Sequence, residues 1–305
     1  MSVEFDIGRD KALPPPRLRY KVTGGEDADW FIKSGKMSLQ DLSRALAAIG
    51  RSFEEFNDVL DWGCGCGRML RHLTPPLASK RLCGCDIDEE AISWVVEHLP
   101  WVEASCTGGL PPLPYCDASF DLIFNHSVMT HLNASHQHAW LGELKRILRP
   151  GGITILTVHG PHAFQKYLDA LAPDAPDRAT RATELHARGI VFITSDEWSS
   201  HFPDFYHTSF NEVSYIFDHW ARFFDIRCYI PQGALNYQDL VVLERPADDR
   251  DLSRTYHEYV GLDRPVDGSN SVALEDVLSR LPSRHKLRIG WRLLREGLGL
   301  RRKRG

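Results

Sequence analysis

The ten residues from Val59 to Arg68, V-L-D-W-G-C-G-C-G-R, combine groups that could hold a nucleoside. An apolar run ends in a carboxylate, Asp61, and alternate glycines follow at 63, 65 and 67. Glycine takes positive φ and lets a ligand approach the main chain closely. A carboxylate beside such a loop suits a cationic or hydroxyl-bearing nucleoside, whereas a pyrophosphate prefers bare amides at a helix N-terminus.

A second acid strengthens this reading. Asp86 ends the apolar run Arg81–Asp86. In an open parallel sheet, ligands bind beyond the carboxyl ends of the strands. An acid at that point can accept hydrogen bonds from both ribose hydroxyls. Asp88, immediately before Glu89, is the better N-cap for the helix that follows. The dinucleotide fingerprint G-x-G-x-x-G sets its third glycine three residues after the second; here Gly67 follows Gly65 by one residue less. That spacing and the charge of Asp61 favour S-adenosylmethionine (SAM) over NAD.

Histidine is the natural proton acceptor near neutral pH. Of 14 histidines, four fall where an acceptor would sit: His126, His131, His159 and His207. His131 and His207 are the candidate catalytic residues. His126 is expected to line the cofactor site, and His159 reads as a strand-end residue. The pairs Cys64/Cys66 and Cys83/Cys85 are too closely spaced for the usual zinc ligands and read as small buried hydrophobes, so no metal is expected.

These residues need a scaffold. Residues 58–158 alternate strand and helix in the rhythm of a parallel sheet. Strands are expected at Val59–Asp61, Arg81–Asp86, Glu103–Cys106, Phe120–Asn125 and Ile153–Val158, with helices near Arg68–Leu73, Glu89–His98 and Ser135–Leu148. Residues 1–57 read as a leader with helices near Asp27–Ser34 and Ser38–Ile49. Residues 159–209 break the rhythm and read as an insertion capping the acceptor site. A helix at Asn211–Trp220 and strands at Phe224–Ile230 and Asp239–Glu244 complete a domain over 58–246. Residues 247–305 read as a tail with a helix near Leu274–Leu281. Its stretch 284–304 carries nine Lys/Arg against one Glu, with interleaved Trp and Leu, and suits contact with an anionic membrane surface.

Composition bounds the partners. The 305 residues have a net charge of −5, unlike a general nucleic-acid binder. The start lacks the basic and apolar regions of a signal peptide. No apolar run is long enough for a membrane span. Seven cysteines, an odd number, fit a reduced chain. The expected location is cytoplasmic, peripheral to the inner membrane surface if the basic tail engages it.

In order, V-L-D-W-G-C-G-C-G-R, C-G-C-D-I-D, L-P-P-L-P-Y-C-D-A-S-F-D-L-I-F-N-H-S-V-M-T-H-L, L-K-R-I-L-R-P-G-G and Y-Q-D-L-V-V-L resemble a class I SAM-dependent methyltransferase. The resemblance spans about residues 58–245. It implies a Rossmann-like, seven-stranded, mostly parallel α/β sheet with helices on both faces and an antiparallel last strand. It implies that Asp61, Gly63, Cys64, Gly65, Gly67 and Arg68 hold the amino-acid part of SAM, and that Asp86 holds the ribose. Ile87 would pack on adenine, with Gly109 and Leu110 near its edge. Asn125 and His126 would face the methionine moiety.

A narrower resemblance, to bacterial enzymes acting on glycans or secondary metabolites, rests on P-P-R-L-R-Y-K-V-T-G-G-E-D-A-D-W-F-I-K-S-G and Y-H-T-S-F-N-E-V-S-Y-I. It implies a sugar, glycan or small-metabolite hydroxyl as acceptor, with S-adenosylhomocysteine (SAH) as the spent cofactor. The turn after the fourth strand reads Asn125-His126-Ser127-Val128, without the prolines of nucleic-acid N-methyltransferases. The alternatives are a non-catalytic SAM-binding scaffold and an NAD-dependent oxidoreductase.

Overall fold

The computed structural model describes residues 12–73, 80–194, 203 and 205–247. Seven strands form the main sheet: β1 (Asp58–Trp62), β2 (Arg81–Asp86), β3 (Glu103–Cys106), β4 (Phe120–Phe124), β5 (Leu148–Val158), β8 (Asp225–Ala234) and β9 (Gln238–Glu244). Their order is β3-β2-β1-β4-β5-β9-β8. Strands β1 to β5 pair in parallel, and β9 runs antiparallel to both β5 and β8. The α/β class and the antiparallel last strand therefore match the sequence expectation. Strand order reverses between β1 and β4, where open sheets form ligand crevices.

Side-chain alternation divides the core in two. Val59, Leu122 and Ile155 face one side and pack with Leu39, Leu42 and Leu46 of α2 (Ala28–Ala48). Leu60, Ile123 and Leu156 face the other and pack with Trp140, Leu141 and Leu144 of α4 (Ala134–Ile147). Each strand contributes to both faces through its period of two, and burial on both sides explains the near-continuous apolar runs.

Two local expectations are corrected. Asp27–Ser34 and Ser38–Ile49 are one helix, α2, N-capped by the Asp27 side chain. Gly35 does not break it. A side chain at Gly35 would collide with the Arg68 carbonyl, so this glycine serves close packing of α2 on the loop. The helix expected from Arg68 to Leu73 is instead a single 3₁₀ turn, Leu70–His72.

Helix α1 (Pro16–Thr23) precedes α2 and buries Leu18. Helix α3 (Glu89–His98) is N-capped by Asp88, which accepts from the Glu90 and Ala91 amides. After β5 come α5 (Pro161–Ala170), α6 (Pro176–Arg188) and a separate antiparallel ribbon of β6 (Ile190–Ile193) and β7 (Thr208–Asn211). Phe164, Leu185, Val191 and Phe210 give this insertion its own small core. Helix α7 (Val213–His219) leads back to β8.

Strand β7 lies against the carboxyl edge of the main sheet: the Asn211 amide donates to the His159 carbonyl at 2.8 Å. No described helix is long and apolar enough to cross a membrane. The helix expected near Leu274–Leu281 and the basic stretch at 284–304 lie outside the described residues.

Candidate active site

The glycine loop is held by its neighbours rather than by its own side chains. The Gly63 and Cys64 amides donate to the Cys85 carbonyl at 2.8 and 3.0 Å. Gly65 has φ +52°, and a Cβ there would strike Val22 of α1. Its amide donates to Asp86 Oδ2 at 2.7 Å, while the Asp88 amide donates to Asp86 Oδ1 at 2.9 Å. Asp86 thus ties the loop after β1 to the end of β2. Burial raises its carboxyl pKa, and these amide bonds oppose the rise.

A cavity of about 670 Å³ opens over this junction, lined by Gly63 after β1, Asp86 of β2, His126 after β4 and His159 after β5. Lys21, Arg68, Asp86, Asp88 and Glu89 lie on α1, the glycine loop and the β2–α3 turn. From β4 onward the described lining carries no Lys, Arg, Asp or Glu. Lys21 pairs with Asp88 at 2.6 Å, fastening α1 beside the β2–α3 turn.

On the wall from β4 onward two imidazoles are fixed alike. His131 Nδ1–H donates to the His207 carbonyl at 2.9 Å, and His159 Nδ1–H donates to the Ser209 carbonyl at 3.2 Å. The tautomer follows from the partner, because a carbonyl only accepts. Each Nε2 is left as an acceptor. Burial lowers the His131 pKa to about 4 and the His159 pKa to about 3, so both rings are neutral at pH 7. The rings stand edge to face, 6.1 Å between centroids, and Tyr206 stacks on His131 at 4.2 Å.

Comparison with known proteins points the same way as the fold. Residues 59–152 match the family model described as a methyltransferase domain. Over that segment the chain is similar to SAM-dependent methyltransferases. A probable S-adenosylmethionine-dependent methyltransferase of Mycolicibacterium smegmatis is 32% identical over 179 residues, 58% of this chain and 65% of that protein. A malonyl-[acyl-carrier protein] O-methyltransferase of Hahella chejuensis is 34% identical over 96 residues, 31% of this chain and 34% of that protein. The chain therefore spans about one third to two thirds of the length of these curated relatives. The crystal structure of PH0226 protein from Pyrococcus horikoshii OT3 shares the fold, with a TM-score of 0.50 and 20% identity over 72% of this chain and 92% of that one.

Of the residues singled out from sequence, Gly63, Cys64, Gly65, Arg68, Asp86, Ile87, Gly109, His126 and His131 line the cavity. Asp61, Gly67, Leu110, Asn125 and His207 are not in its wall. Asp61 is fully buried beneath the loop, and neither carboxylate oxygen has a hydrogen-bond partner among the described residues. Burial holds its pKa well above the carboxylate range, opposed by the charge of Arg68. Gly67 packs under Leu99 and Val95, and Leu110 is exposed. Asn125 turns inward, its Oδ1 accepting from the Thr157 amide at 3.1 Å. The His207 ring packs edge-on against Phe192 at 5.6 Å, so its carbonyl, not its imidazole, serves the site.

His159, one of the four histidines expected near the acceptor and read as a strand-end residue, does directly follow β5. Two lining residues with a part in this geometry, Ser127 and Gln238, had no role in the sequence reading. Ser127 takes φ +70°, an uncommon backbone for a residue with a side chain. Gln238 donates to Ser127 Oγ at 2.9 Å. Only the antiparallel insertion of β9 beside β5 brings Gln238 to that edge. The cysteines of the loop and β2 are buried, with burial raising the Cys66 thiol to about 12.

Proposed function

We propose that the chain transfers the methyl group of SAM to a hydroxyl of a sugar, glycan or small metabolite, with His131 taking the hydroxyl proton. The observation that carries this reading is the His131–His207 bond. It fixes the imidazole as the Nδ1–H tautomer and leaves Nε2 as the acceptor of a residue that lines the cavity.

The donor end fits SAM by its chemistry. Asp86 can accept from ribose hydroxyls, as its oxygens retain lone pairs beyond the two amide bonds. Arg68 lines the cavity and is anchored on Ser38 Oγ at 3.0 Å, so its guanidinium can meet the cofactor carboxylate. Asp61 is an orphaned buried carboxyl whose ionised form a cationic ligand above the loop would favour. When bound, SAM supplies an electrophilic methyl group on a sulfonium.

Transfer asks the protein mainly for alignment and proton removal. Tyr206 stacks on His131, and its hydroxyl donates to the Ser127 carbonyl at 3.3 Å, steadying the ring from above. Isothermal titration with SAM and SAH tests the donor reading. Asp86→Ala should weaken both ligands; unchanged affinity refutes the ribose assignment.

A further inference from the structure

Strand β7 does more than cap the site. His207 and Ser209 are two residues apart, so their carbonyls leave the same edge of the extended chain. One edge thereby sets the tautomer of two different imidazoles, His131 from the segment after β4 and His159 from the end of β5. With Nδ1 committed, each ring keeps Nε2 as its remaining acceptor, and both residues line the cavity. A single hydroxyl has one proton and can donate to only one of them. Ser127 Oγ lies 3.4 Å from His131 Nε2, a long contact, and 3.0 Å from Thr130 Oγ1, its nearer alternative partner.

We infer that His131 and His159 together read two neighbouring hydroxyls of an uncharged ring, one methylated over His131 and the other held by His159. The acceptor class is a neutral diol, on a sugar or on a catechol. The inference rests on the methyltransferase reading of the same cavity. The wall from β4 onward supports neutrality, because among the described residues it offers no cation for a carboxylate or phosphate and no anion for an amine. Ring-sized ligands also find flat faces at the rim. Trp30 and Tyr237 line the cavity while 39% and 40% exposed, and Tyr237 stands edge-on to His159 at 5.6 Å. Aromatic faces with hydroxyl readers between them suit a neutral ring that must shed little water.

The chemistry balances without a further reactant. The acceptor oxygen forms a bond to the methyl carbon as the methyl–sulfur bond breaks and its electrons stay on sulfur. The acceptor proton passes to His131 Nε2. The second hydroxyl keeps its proton and donates it to His159 Nε2.

The test is titration of four probes into SAH-saturated protein: catechol, methyl α-D-glucopyranoside, phenol and benzoate. At least one diol should bind about tenfold tighter than phenol and benzoate, the cost expected for a buried acceptor left unpaired. The preferred diol separates the aromatic source from the sugar. His159→Phe should abolish the preference with SAH affinity unchanged. Nitrogen NMR of the imidazoles gives a readout on the unmodified protein: both rings should be Nδ1–H tautomers, and both Nε2 signals should move when the diol is added. Equal or tighter binding of phenol or benzoate, no binding of any probe, a response at one ring only, or a retained preference in His159→Phe overturns the inference. Failure of SAH to bind at all overturns the donor reading instead.

Discussion

His207 serves His131 with its backbone: the carbonyl of His207 accepts the Nδ1 proton of His131 at 2.9 Å, while the His207 ring points to Phe192. The two histidines singled out from sequence thus belong to one device in unequal roles. His131→Ala should lower kcat by roughly 10²–10⁴-fold, the usual contribution of a positioned base. His207→Ala retains the carbonyl and should keep transfer within a few fold. SAH titration on both variants checks that the donor site is intact. Equal losses in the two would place the His207 ring in the chemistry.

Burial of His131 makes a prediction about pH. Its pKa falls from 6.5 to about 4, so the ring is already unprotonated at neutral pH. The acid limb of kcat/KM attributable to this group should lie near pH 4, and a limb at the unperturbed value of 6.5 would contradict its burial. Stability carries the same sign. Between pH 6.5 and about 4 the unfolded chain protonates this histidine and the folded chain does not, so stability should fall as pH falls through that window.

Asp61 works in the opposite sense. Its folded pKa is raised well above 3.8 by burial, so the folded chain holds that proton after the unfolded chain has lost it. Its contribution to stability therefore declines as pH rises above 3.8 toward the folded value. Asp61→Asn should raise the melting temperature of cofactor-free protein at pH 7. It should also narrow the preference for cationic SAM over neutral SAH. Calorimetry and titration measure the two effects, and a lowered melting temperature would count against an uncompensated carboxyl.

Gly65 joins the loop to α1. A Cβ at φ +52° is strained and meets Val22, so Gly65→Ala should push α1 from its seat and cost about 1–3 kcal/mol. The double variant Gly65→Ala, Val22→Ala should recover part of the loss. No recovery would mean that backbone strain alone is responsible.

What could be read from sequence divides along physical lines. The order of strands and the loop between Asp61 and Asp86 were legible because alternation, glycine and terminal acids are local signals. The single helix α2 was not, because Gly35 looks like a break until the Arg68 carbonyl beneath it is seen. Asp61 was rightly placed at a strand end, but the depth of its carboxylate depends on packing around the loop. His159 was placed near the acceptor but read only as a strand-end residue, and Gln238 escaped notice, because their contacts arise from β7 crossing the sheet edge and β9 inserting beside β5. Those are contacts between residues far apart in the chain, and no short motif encodes them.

The central claim is that the Asp86 end of the cavity takes the cofactor and the His131 end takes a hydroxyl. Transfer of labelled methyl from SAM to a neutral diol, run beside SAH titration on wild type, Asp86→Ala and His131→Ala, tests it most directly. The account predicts SAH affinity on the order of micromolar for wild type and His131→Ala, weakened binding in Asp86→Ala, and labelled product from wild type alone. A folded wild-type protein that binds neither SAM nor SAH, or a His131→Ala variant as active as wild type, would contradict it.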